Sequence, residues 1–79
     1  MTLDLSQLYA ADGTARLARL DAYVCAACGA VPLGADVILT GPAPIWLYLR
    51  LAHALHGRVR TLSYTSPVSG EVTIFDHNP

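Results

Sequence analysis

The chain has 79 residues, enough for one small domain and too few for two. It is 53% hydrophobic and only 14% charged, with a net charge of −1 and no lysine, so every fixed positive charge is an arginine. That balance lacks the basic face needed to hold long nucleic acid. It also leaves more apolar material than so small a core can bury, which predicts association between copies, a homo-oligomer.

"TLDLSQL", residues 2 to 8, alternates apolar and polar positions and predicts a half-buried strand. Asp12-Gly13 is a turn signal. From Thr14 the spacing becomes helical, with Leu17, Leu20 and Val24 on one side and Gly29 as the expected stop. "VPLG" reads as a loop. "DVILT", residues 36 to 40, is a continuous apolar run, expected for a central strand covered on both faces. Residues 44 to 56 predict a second helix, with Pro44 in its first turn and Gly57 just beyond its end. "RVRTLSY" and "EVTIF" predict two further strands, separated by the turn-rich "TSPVSG". The expected order is β-α-β-α-β-β: a single α/β domain over residues 1–79 with a small mixed sheet.

Two features argue for a soluble, cytoplasmic protein. "MTLDLSQL" has neither a basic start nor a long apolar run. The weakly charged stretch from Ala22 to Leu49 is interrupted by glycines and prolines into pieces too short to span a membrane.

The second helix holds most of the residues with a candidate chemical role. Arg50, His53 and His56 recur every three residues and predict one polar stripe, extended toward the helix start by Trp46. On spacing alone this stripe is as well explained by a solvated face as by a site. At the other end, "DVILT" runs through Thr40 and Gly41 straight into a helix start, where backbone amides and the helix dipole favour an anion such as phosphate. Pro42 and Pro44 remove two of those donors. Cys25-x-x-Cys28 and His53-x-x-His56 offer a rival four-ligand zinc set. Their separation of 24 residues exceeds the finger spacing of about 12–15, and both pairs fall inside predicted helices. A small buried hydrophobe is the commoner role for a cysteine.

Over residues 37 to 77, "VILTG", "PIWL", "LAHALH", Tyr64, a glycine-containing turn and the final "FDH" together resemble the small CRISPR-associated ring nucleases of the Csx-three family, accessory proteins of type III CRISPR systems. The resemblance implies a distant variant of the Rossmann-like domains that sense cyclic oligoadenylates. It implies binding and cleavage of cyclic tetraadenylate to linear products, which switches off type III antiviral signalling, with manganese as cofactor. The alternative is a protein that binds the cyclic messenger without cutting it, a sponge or sensor. It also implies homodimers, two of which sandwich the ligand as a tetramer. By that resemblance His56 and His77 are the catalytic positions, with His56 also the metal ligand. Thr40, Gly41, Pro42, Ala43, Trp46, His53, Tyr64 and Ser66 are the ligand-binding ones. The family's aspartate and arginine, expected after Tyr64 as "Y-D-P-R", are absent: Thr65 and Ser66 stand there, one residue is added, and hydroxyls carry no charge at neutral pH. Asp76 is the nearest carboxylate in sequence to His77, and Arg50, Arg58 and Arg60 are the available cations. Without a metal, a histidine acting as general base and another group stabilising the phosphorane suffice for attack of a ribose 2′-hydroxyl on its own phosphate, with His56 and His77 as the candidates.

Overall fold

The computed structural model describes residues 1–77. Strand β1 (Thr2–Asp4) leads into a 3-10 segment (Leu5–Asp12) and, after a turn, a second short 3-10 segment (Leu17–Arg19). Helix α1 (Leu20–Ala30), strand β2 (Asp36–Thr40), helix α2 (Ile45–Leu55), strand β3 (Thr61–Ser66) and strand β4 (Gly70–Asp76) follow. The α/β order expected from the sequence is the one observed. The four strands form one mixed sheet in the order β1-β2-β3-β4, with β1, β2 and β3 parallel and β4 antiparallel to β3.

Three local differences from the sequence reading have simple causes. The alternation in "TLDLSQL" stops after three strand residues, because the Asp4 carboxylate accepts hydrogen bonds from the Ser6 amide (2.9 Å) and hydroxyl (2.7 Å) and turns the chain into a 3-10 segment. Helix α1 runs through Gly29 and ends at Ala30, Val31 being extended. Helix α2 ends at Leu55, and His56 has left the helix with φ −60° and ψ 126°, ahead of Gly57 at φ 87°.

Both crossovers are β-α-β units between adjacent parallel strands. With their usual right-handed connection, the two helices lie side by side on one face of the sheet. Tyr23 and Ala27 of α1, Leu47, Leu51 and Leu55 of α2, and Val37, Leu39 and Leu62 of the sheet form one buried core. The opposite face is mostly hydroxyl-bearing: Thr40, Ser63 and Thr65 lie there beside Ile38, which is only half-buried. "DVILT" is therefore covered on one face by the helices, not on both. The parallel strands run 1-2-3 without a switch point, so the crevice of a doubly wound sheet has no counterpart between them. Among the described residues no helix is long and apolar enough to cross a membrane.

The sheet is clamped at the start of β2 and β3. Arg60 grips Asp36 with two donors (Nε–Oδ1 3.0 Å, Nη2–Oδ2 2.5 Å), and the Thr61 hydroxyl adds a third bond at 2.8 Å. Arg60 first, then Thr61, hold the Asp36 carboxyl down to about 2.

Candidate functional site

Helix α2 has a candidate site at each end. Its eleven residues hold those ends about 16 Å apart.

The first lies at the carboxyl ends of β1, β2 and β3. Asp4 pairs with Thr40 across the β1–β2 ladder, which sets its carboxylate beside the next residue, Gly41. Gly41 has φ +100°, and a Cβ there would lie 2.0 Å from Asp4 Oδ1, so only glycine fits. The loop that follows is held by tyrosines. Tyr48 Oη donates to the Gly41 carbonyl at 2.5 Å, and Tyr9 Oη donates to the Pro42 carbonyl. Burial, with smaller contributions from Tyr64, Asp4 and Tyr9, pushes the Tyr48 hydroxyl up to about 12, so it remains a donor. Thr40 Oγ1 donates to the Thr65 carbonyl at 3.1 Å and ties the loop to β3. Ala43 and Tyr64 line an apolar groove of about 350 Å³ between α2 and the sheet, with Tyr48, Leu49 and Ile74. Tyr48 and Tyr64 meet edge to face with centroids 5.2 Å apart. Trp46 is half-buried against the core, and Ser66 is engaged in the β3–β4 turn through Ser69.

This end is less suited to phosphate than the sequence suggested. The Gly41 and Pro42 carbonyls point to tyrosine donors, two prolines supply no amide, and the Asp4 carboxylate adds negative charge beside Gly41. Asp4, Tyr9 and Tyr48 were not singled out in the sequence. An aspartate two residues before a serine at a strand end is the one local signal that would have flagged Asp4 as a turn-former.

The second site lies at the far end of α2. Because the chain leaves the helix at His56, that ring does not continue the Arg50–His53 stripe but turns toward β4. The ring centroids of His56 and His77 are 4.9 Å apart at 75°, and each ring also meets Phe75, at 5.1 and 4.7 Å. Backbone pairing sets the place of His77, whose amide donates to the Arg60 carbonyl at 2.9 Å. Both imidazoles are exposed, and His53, also exposed, stays on the helix. The structure thus joins His56 with His77, twenty-one positions apart, and keeps both away from the Thr40–Ala43 loop.

The position of the family's acid is equally distant. Thr65 lies five residues along β3 from Arg60, the backbone partner of His77, which is about 16 Å of strand. Asp76 pairs opposite Thr61 and acts electrostatically on Arg60. Among the described residues, no three of His, Cys, Asp and Glu gather closely enough to hold a metal ion. Cys25 and Cys28 are free thiols on α1. Two imidazoles without a carboxylate do not match the oxygen-rich donor set that manganese prefers, so no step below runs through a metal.

Taken together, the fold and the site define a small α/β domain with a tyrosine-walled loop and groove at one end of a helix and an exposed histidine pair at the other. A family model described as CRISPR-associated protein (Cas_csx3) matches residues 24–79, well over half the chain, and the protein belongs to that family. No curated protein and no solved structure matches it.

Proposed function

We propose that this CRISPR-associated protein binds cyclic tetraadenylate and opens it by metal-free transesterification, ending type III antiviral signalling. The observation that carries the reading is the meeting of His56 and His77 on one exposed surface. One imidazole takes the proton of a ribose 2′-hydroxyl as its oxygen bonds to the adjacent phosphorus. The other, protonated, gives its proton to the departing 5′-oxygen as the P–O5′ bond breaks. The product is a linear oligoadenylate ending in a 2′,3′-cyclic phosphate. Atoms and charge balance without water or a metal ion. Trp46 and Tyr64 offer aromatic surface to adenine, Thr40–Ala43 and Ser66 border the ligand, and His53, one turn back on α2, is a further ligand-binding position. The protein acts in the cytoplasm as a homodimer, and two dimers enclose the ring.

The test is incubation of the purified protein with cyclic tetraadenylate, with and without manganese, followed by chromatography. Linear product in chelator, lost in both His56→Ala and His77→Ala, supports the reading. Product that appears only with manganese refutes the metal-free route. A second reading, binding without cleavage, is favoured by the separation of the loop from the histidines. It requires tight binding and no linear product under either condition.

A further inference from the structure

We infer that the free edge of β4 is the seam of the homodimer proposed above, with two copies of β4 pairing antiparallel about a two-fold axis at Thr73. The inference rests on that proposal only for the number of copies. It stands on three features of the strand itself.

The first is the backbone. β4 is an edge strand of seven residues at the end of the strand order, and β3 is its one ladder neighbour among the described residues. Natural edges of that length are usually blunted by charged side chains, proline, a β-bulge or shortness, and β4 carries a bulge and two carboxylates at its ends while its middle, Val72–Ile74, is uncharged. The other edge follows this rule: β1 is three residues long and ends in a 3-10 turn. β4 contains neither proline nor lysine. Its one irregularity is the bulge at Ile74, where Leu62 pairs with Phe75 and Ser63 with Thr73. That bulge confines a regular outer ladder to Gly70–Ile74.

The second is the apolar surface beside the edge. Val72 and Ile74 are 43% and 49% exposed. On α2, above the same groove, Ile45 and Leu49 are 77% and 67% exposed. Four large aliphatic side chains on one patch are more than scattered surface residues explain.

The third is self-complementarity. Pairing about Thr73 sets Val72 against the partner's Ile74 on the helix side and Thr73 against the partner's Thr73 on the hydroxyl-rich side. Both are favourable cross-strand pairs. Within Gly70–Ile74 the one charged residue is Glu71, and in this register it does not face its own copy, so no like charges pair across the regular ladder. A strand that matches itself in both shape and charge fits a second copy of this chain. The pairing also joins the two apolar grooves across the seam.

The experiment uses the full chain with Cys25→Ser and Cys28→Ser, carrying Thr73→Cys. Across an antiparallel pair, Cβ atoms are about 4.5–5.5 Å apart, close to the distance a disulfide spans. Mild oxidation should convert most of the protein to a covalent dimer on a non-reducing gel. Ser63→Cys, inside the sheet, should give none. Val72→Lys should be monomeric by light scattering at a concentration where the parent is dimeric, with an unchanged circular dichroism spectrum. A parent that is dimeric while Thr73→Cys stays uncrosslinked overturns the seam, as does a parent that is monomeric at high micromolar concentration. Neither readout depends on whether the protein binds or cleaves cyclic tetraadenylate.

Discussion

Gly41→Ala is the most informative single perturbation of the tyrosine-walled loop. Two independent costs meet at this residue. At φ +100° any residue with a Cβ is strained, by about 1–2 kcal/mol. The added methyl would also lie 2.0 Å from Asp4 Oδ1 and 3.3 Å from the Leu5 amide, and overpacking of this kind costs about 1–3 kcal/mol. The sum is about 2–5 kcal/mol against a total stability of about 4–12 kcal/mol for 79 residues. A domain of this size loses about 4–8 °C of Tm for each kcal/mol, so Gly41→Ala should melt at least about 8 °C lower. The two costs separate in a double-mutant cycle. Asp4→Ala alone loses the turn that this carboxylate caps, about 1 kcal/mol. Adding it to Gly41→Ala removes the clash but leaves the φ strain. The double mutant should therefore be about 1–3 kcal/mol more stable than the two single effects predict when added. Urea denaturation of the four proteins measures this. Additive effects would show that Asp4 does not fill the space beside Gly41, and the account of the loop would fail.

Other outcomes follow from the same geometry. Leu51→Ala, at a fully buried position, should cost about 2–5 kcal/mol, whereas Leu49→Ala, two residues away and exposed, should change stability by no more than about 0.5 kcal/mol in the monomer. Tyr48→Phe removes one donor from the Gly41 carbonyl and should cost about 1 kcal/mol in chemical denaturation, leaving the helix content unchanged. Asp36→Asn tests the clamp through pH. Arg60 and Thr61 lower this carboxyl from 3.8 to about 2, so its contribution is complete above the unfolded value and is lost as pH falls toward 2. The variant should be less stable than the parent at pH 7, and the difference in urea midpoint should close between pH 4 and pH 2. A difference that persists at pH 2 would assign the effect to something other than charge.

Hydrophobic periodicity made the elements and their order legible, because both crossovers are local β-α-β units whose apolar spacing has to match a one-sided core. Gly29 was misleading, since a glycine near a helix end marks a stop only when the chain needs a positive φ there, and Val31 ends α1 in an extended conformation instead. The polar stripe on α2 was legible as far as His53. It failed at His56 because spacing assumes that the helix continues, and one residue outside the helix sends its ring in a new direction. The pairing of His56 with His77 depends on the β3–β4 hairpin returning to the start of β3, a long-range contact with no local signature. Asp4 was hidden for the same reason. As a strand residue it faces away from the core, and only the ladder with Thr40 brings it to Gly41.

Under the ring-opening reading the histidine pair needs a positive charge beside it to meet a phosphate, and the ion pairs point to one arginine. The chain has five. Arg19, Arg50 and Arg60 are paired with Asp12, Asp21 and Asp36. Arg16, ahead of the second 3-10 segment, acts electrostatically on Asp12. Arg58 is exposed, takes part in none of the ion pairs among the described residues, and follows His56 by two residues beyond the end of α2. Under the ring-opening reading, Arg58→Gln should weaken binding of cyclic tetraadenylate about tenfold, the loss of roughly one charge-assisted hydrogen bond. The affinity that remains should depend less steeply on salt. Arg60→Gln should instead lower stability through loss of the Asp36 clamp and change affinity little. Isothermal titration at two ionic strengths, with urea midpoints for each variant, separates the two. Equal loss of affinity in both variants would mean that the clamp, and not Arg58, shapes the surface beside the histidines.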